Sequence, residues 1–311
     1  MAGSSPANSH WLALAAGVAV LWGLCFVLIQ SSLKESTPLI SAGLRSLLGG
    51  VVLAGWIARP GGPVGLLPRW GLPRLGDVIF LSVTNSAIAF GAMYLAAERA
   101  AAAIASILAG AQPLMLAIAG RAIFGDRLGK VAGVGLALGL AGVTLVTATA
   151  SGVTTGVGMA LALLAVAAPA AGTIRMRRIS FRVDISSTTA AQFLLGGVIL
   201  IVAGASVEDL STTRWSASLV ASLMVLGIAG TGLAYAVWFA LLKHLSLVVL
   251  GATLLLVPVV GVAGGLLMGE RPTLTSSIGA LVVLMGMGLV LWGTARHRAC
   301  NLDHRRIPEQ S

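Results

Sequence analysis

The chain has 311 residues, of which 57% are hydrophobic and only 10% charged, with a formal net charge of +10. A soluble domain carries roughly 25% charged residues, so a soluble globular chain is excluded. So is a nucleic-acid binder, because no aromatic-interleaved basic run or nucleic-acid motif accompanies the charge.

The apolar residues come in long blocks. A helix needs ~20 mostly apolar residues to cross a bilayer, and lipid tolerates only helices and closed barrels. The blocks lack the alternation and the ~10-residue length of barrel strands. The expected fold is an all-α integral membrane protein.

Ten transmembrane helices are predicted, at approximately 11–30, 38–58, 77–97, 102–123, 131–149, 154–174, 186–205, 217–242, 246–268 and 275–295. The first follows ten residues without Lys or Arg and without a small-residue cleavage site, so it reads as a retained anchor. It carries Leu21-Trp22-Gly23 and Cys25; the other cysteine, Cys300, lies in the tail, so neither a disulfide framework nor a metal site is implied. The second begins at Pro38 and holds Arg45 and Leu47-Leu48-Gly49-Gly50-Val51. Asn85 and Phe90-Gly91-Ala92-Met93-Tyr94 fall in the third, Gln112 and Pro113 in the fourth, before Gly125-Asp126-Arg127-Leu128. Gly135-x-x-x-Gly139 in the fifth is a small-residue ridge that lets helices approach closely, inside the monomer or at a dimer contact. Pro169 lies in the sixth span, Gln192 and Leu194-Leu195-Gly196-Gly197-Val198 in the seventh, and Tyr235-Ala236-Val237-Trp238-Phe239 in the eighth. The ninth holds Pro258 and leads to Gly269-Glu270-Arg271.

Lys and Arg in the short loops set orientation. With the N-terminus inside, ten spans place 15 of them in inner loops and tail and 4 in outer loops, with Arg45 inside a span. Both termini are therefore expected to be cytoplasmic, in a multi-pass protein of the cell (inner) membrane.

The sequence also repeats. The Leu-Leu-Gly-Gly-Val motif recurs in spans 2 and 7, and a mid-helix proline follows Phe90 and Tyr235 by the same 23 residues. Five spans per half give the halves opposite orientations, an inverted repeat of the kind found in many secondary transporters. Residues 1–150 form the first expected five-helix unit, 151–298 the second, and 299–311 a cytoplasmic tail.

With these motifs, over roughly residues 11–296, the chain resembles the EamA-type transporters of the drug/metabolite transporter superfamily. The resemblance rests on Leu21-Trp22-Gly23, on Pro38 with Arg45, and on Pro113 and Pro258 leading to Gly125-Asp126-Arg127 and Gly269-Glu270-Arg271. Asp126 stands where the family usually has Glu, and Ser46 where an aromatic is common. The resemblance implies an exporter of amino acids, small metabolites or drugs, with a central cavity between the halves.

Candidate residues follow from polarity at depth. Arg45 is the only charged residue well inside a span; such a group costs from ~2.5 kcal/mol upward. It is either an anion or carboxylate site or an arginine snorkelling to the outer interface. Pro113, Pro169 and Pro258 each remove a helical hydrogen bond and are kink candidates, hinges or static bends. Trp22, Asn85, Tyr94, Gln112, Gln192, Tyr235 and Trp238 are cavity candidates; interhelical hydrogen bonding is the alternative for each, and two or three are expected to line the cavity. Glu98, Asp126 and Glu270 sit at span ends beside Arg99, Arg127 and Arg271, where local pairing or solvation is the default.

No Walker A loop appears, so ATP-driven transport is unsupported. His10, His244, His297 and His304 are terminal or in loops and no aspartate lies mid-span, so an intramembrane enzyme is not expected. A membrane scaffold or sensor remains the alternative to a transporter. No cofactor, metal or nucleic-acid partner is expected. The expected partners are the lipid bilayer and a small-molecule substrate, in a monomer or homodimer.

Overall fold

The structure is a computed structural model and describes residues 6–58, 73–99, 102–126, 129–148, 156–257, 259, 260, 263 and 274–304. Pro258, Arg127, Leu128, Arg271 and the Gly269-Glu270 motif lie outside the described residues. Helices account for nearly all of what is described, and there is no β-strand among the described residues. In chain order they are α1 (Pro6–Ser32), α2 (Pro38–Ala58), α3 (Leu75–Ser82), α4 (Ala89–Arg99), α5 (Ala102–Phe124) and α6 (Lys130–Ala148). There follow α7 (Gly156–Ile179), α8 (Ile185–Val207), α9 (Ala217–Gly227), α10 (Ala234–Leu241), α11 (Leu247–Leu254) and α12 (Leu274–His304). Seven helical stretches among the described residues are long and apolar enough to cross a membrane. Met115–Phe124 and Lys130–Gly142 are shorter apolar helices.

Helix ends follow local chemistry. Asp184 caps α8 by accepting from the Ser186 and Ser187 amides at 3.2 Å, and Ser216 caps α9 through the Leu219 amide at 3.0 Å. A side chain that satisfies a free first-turn N–H stabilises the start of a helix by ~1 kcal/mol. The start of α2 borrows its cap: Glu208, just past α8, accepts from the Leu39 amide at 2.7 Å and the Ile40 amide at 3.1 Å. Gly125 stops α5 at φ 67°, a left-handed conformation that suits glycine. It turns the chain so that the Asp126 amide reaches the Gly120 carbonyl at 2.9 Å.

Two spans that are continuous in hydropathy are interrupted in structure. A π turn at Val83–Ile88 joins α3 to α4, and a second at Ile228–Leu233 joins α9 to α10. The second begins as far after the first as Tyr235 lies after Phe90 and Pro258 after Pro113. Thr231 stabilises its turn by donating to the Leu226 carbonyl five residues back at 2.8 Å. π turns inside helices concentrate at functional sites.

The repeated Leu-Leu-Gly-Gly motifs meet each other where α2 lies along α8. A Cβ on Gly50 would sit 2.8 Å from Leu194 Cγ, and one on Gly197 would sit 2.7 Å from Leu47 Cγ. Each leucine occupies the space its partner helix leaves at a glycine, a reciprocal contact that only a missing Cβ permits. The ridge Gly135-x-x-x-Gly139 is used within the chain, facing α12 at Gly286. The main buried cluster gathers residues of α1, α4, α8, α10 and α11 around Phe193, Tyr235, Trp238 and Phe239.

Candidate functional site

A cavity of about 120 Å³ lies among α1, α2, α4, α5, α7, α10 and α11, with Trp22, Cys25, Arg45, Phe90, Gln112, Pro169, Tyr235 and Leu254 in its wall. That is room for roughly ten waters or one small solute. Its wall runs from Trp22 to Ile29 along α1, from Ala89 to Ala96 along α4 and from Pro169 back to Ala162 along α7. The cavity thus extends toward the end of the bundle where α1 finishes and α2 begins.

Among the described residues Arg45 is its only charged lining residue, and it is 2% exposed. Its Nε–H donates to the Thr231 hydroxyl at 2.8 Å, and Nη2 donates to the Gly230 carbonyl at 3.4 Å. Its guanidinium carbon lies 4.5 Å from the centre of the Phe90 ring, a cation–π contact that offsets about 0.5–2 kcal/mol of burial cost. Among the described residues Nη1 has no partner in hydrogen-bonding geometry, and the Tyr94 hydroxyl lies beside the guanidinium just outside that geometry. Among the described residues Arg45 forms no ion pair. The arginine turns into the protein, not to the bundle end.

The second π turn builds this arrangement. By carrying Gly230 and Thr231 it offers one carbonyl and one hydroxyl to Arg45, and the same Gly230 carbonyl accepts from Trp22 Nε1 at 3.0 Å. Trp22 in turn sits 5.0 Å from the Tyr235 ring and 5.2 Å from Trp238. Tyr235 meets Phe193 edge-on at 4.9 Å and Phe90 at 6.0 Å. Aromatic pairs at these separations hold one another in place. The result is an aromatic cluster packed beside the cation.

Of the seven cavity candidates, Trp22, Gln112 and Tyr235 line the cavity; Asn85, Tyr94, Gln192 and Trp238 do not. Asn85 and Gln192 are fully buried and bonded to each other, Asn85 Nδ2 donating to Gln192 Oε1 at 3.2 Å. Asn85 lies on the first π turn, so the two turns carry different chemistry: a neutral amide pair at one, a cation at the other. Trp238, 1% exposed, backs Trp22. Among the proline candidates, Pro169 lines the cavity, Pro113 is buried inside α5, and Pro258 is outside the described residues.

Several residues of the site were not among the sequence candidates: Thr231 and Gly230 carried no signal of their own, Phe90 and Met93 stood out only as part of the repeat, and Cys25 only as a cysteine without a partner. Only the glycines around Thr231, in a span otherwise rich in Leu and Ala, hint at a backbone placed close to other groups.

The opposite end of the bundle is closed by ion pairs across the chain. Arg175 of α7 pairs with Asp77 of α3. Arg177 holds Asp126 at 3.1 and 3.2 Å while its guanidinium lies 4.6 Å from the Phe124 ring centre. Asp126 also accepts from the Leu247 amide at 3.0 Å, capping α11. Among the described residues its charged partner is a distant arginine, and one carboxylate ties together α5, α7 and α11.

Comparison with known proteins gives this geometry a context. The sequence pattern of the EamA-like transporter family matches twice, at residues 9–148 and 156–292. A "Probable amino-acid metabolite efflux pump" of Salmonella typhimurium is 32% identical, over 93% of this chain and 97% of its own. The protein of the same name in Escherichia coli is 30% identical, over 92% and 96%. An "Uncharacterized transporter YvbV" of Bacillus subtilis is 27% identical over 89% and 90%. A solved crystal structure superposes with a TM-score of 0.76 at 20% identity, over 91% of this chain and 99% of that one, which shows a shared fold. The chain is a membrane transporter and not an enzyme, and it belongs to the EamA-like transporter family.

Proposed function

We propose that the chain is a secondary transporter that exports amino acids or related small metabolites by alternating access, and that Arg45 receives the solute's carboxylate. The observation that carries this reading is a buried guanidinium in a cavity wall with one nitrogen unpartnered and no ion pair among the described residues. A buried charge without a counter-ion is costly, and a bound carboxylate would supply both the missing charge and the missing acceptor. The aromatic groups of Trp22 and Tyr235 would flank the rest of the solute, with Gln112 as a polar contact. The names of the Salmonella and Escherichia relatives agree with amino-acid metabolites as cargo.

The same reading takes the two family matches as two five-helix units of opposite orientation, ten spans in all, with both termini cytoplasmic in the inner membrane. The reciprocal Leu47–Gly197 and Leu194–Gly50 contacts and the two equivalent π turns support it. On this orientation the cavity extends outward and the ion pairs close the cytoplasmic side.

The test is counterflow in liposomes over a panel of amino acids, amino-acid amides and organic cations. Carboxylate-bearing solutes are expected to move and their amides to move poorly. If folded, monodisperse protein moved no solute, or moved amides as well as acids, the reading would lose its support.

A further inference from the structure

A second opening lies on the outside of the bundle, between the start of α3 and the last turns of α7, with a volume of about 520 Å³. Its wall is Arg74, Gly76, Asp77, Phe80, Arg175 and Arg178. Asp77 is 5% exposed and engages Arg175. Three guanidiniums thus surround one carboxylate, leaving an excess of two positive charges. Arg74 and Arg178 are both exposed, and Arg175 and Arg178 are three residues apart on one face of α7.

The neighbourhood of this charge is apolar. Leu75 is 72% exposed, Ile79 46% and Phe80 43%, and α3 opens a stretch, Leu75–Glu98, long and apolar enough to span a membrane. Exposed apolar groups on such a helix face acyl chains. A cluster of arginines directly beside them sits at headgroup depth, where basic pockets between helices take lipid phosphates. Guanidinium forks match phosphate oxygens in pairs.

We propose that this groove binds the phosphate of an anionic phospholipid, held by Arg74 and Arg178 with one acyl chain along Ile79 and Phe80. The shared chemistry is a phosphate group, and the exposed Phe80 favours a lipid as its source. The groove joins α3, in the first family match, to α7, in the second. A phosphate there competes with Asp77 for Arg175, so lipid occupancy bears on the contact that closes this end. The groove shares no wall residue with the central cavity.

Native mass spectrometry of the full chain in detergent tests it, with phosphatidylglycerol, phosphatidylcholine and inorganic phosphate as probes. The wild type is expected to retain one phosphatidylglycerol about tenfold more strongly than phosphatidylcholine, and R74Q/R178Q to lose that preference. The single variant R178Q, at an exposed position, should show a partial loss and serves where the double variant does not purify. Equal retention by wild type and variants would overturn the proposal. So would displacement of the lipid by millimolar inorganic phosphate, because the groove would then read the phosphate without its acyl chains.

Discussion

The Nε–H of Arg45 donates to the Thr231 hydroxyl at 2.8 Å, joining α2 of the first family match to the π turn of the second. The hydroxyl passes its own proton on to the Leu226 carbonyl, also at 2.8 Å. The guanidinium is therefore positioned by a backbone irregularity in the other half of the chain. Thr231→Val keeps the shape and removes both bonds, leaving Nε buried without an acceptor. The expected loss is about 1–3 kcal/mol of unfolding free energy. Thr231→Ser should stay near wild type. Chemical denaturation in a mild detergent measures both.

Arg45 itself should behave in the opposite sense. A buried cation with incomplete partners is a liability for the empty protein, so Arg45→Met is expected to raise the melting temperature. The same change removes the charge proposed to meet a carboxylate, a charge-assisted bond worth about 1.5–3 kcal/mol, or roughly 10- to 100-fold in apparent KM. Stability up and transport down would distinguish a binding group from a structural one. A variant both less stable and unchanged in KM would contradict the assignment.

Asp126 and Arg177 form a partly shielded pair, their side chains 11% and 16% exposed. A double-mutant cycle with Asp126→Asn and Arg177→Gln should give a coupling of about 1–2 kcal/mol. Asp126→Asn should cost more alone than Arg177→Gln, because the carboxylate also caps α11 at Leu247. Equal single effects with no coupling would mean that the pair does not hold this end together.

The helices were legible in the sequence because lipid imposes one solution on a long apolar run. Arg45 was legible as well, since a lone charge in such a run must have a reason. The π turns were not: Val83–Ile88 and Ile228–Leu233 differ from helix by one extra residue per turn, and hydropathy does not register that. Asn85 and Gln192 bond to each other and do not line the cavity, which their polarity at depth does not reveal. An amide at depth has the same signature whether it faces a solute or another amide. The partner of Asp126 was hidden for a related reason. Arg127 is adjacent in sequence and lies outside the described residues, whereas Arg177, 51 residues on, reaches Asp126 only through the fold.

His244, in the turn between α10 and α11, stacks on Trp11 of α1 at 3.9 Å with the rings 7° from parallel. Burial lowers its pKa, and the positive charge of Lys243 and the nearby His10 add to the effect. A base whose pKa is lower folded than unfolded binds fewer protons in the native state, so stability falls as pH drops below the unfolded value of about 6.5. The melting temperature is expected to decrease between about pH 7.5 and pH 5.5. His244→Phe keeps an aromatic ring against Trp11 and cannot take up the proton, so its decrease over the same range should be smaller. Because His244 is exposed, solvent limits the size of the effect. The comparison is the difference between the two proteins across the pH range, measured by differential scanning fluorimetry in one detergent. An identical pH dependence in wild type and variant would show that the stack does not sense the proton.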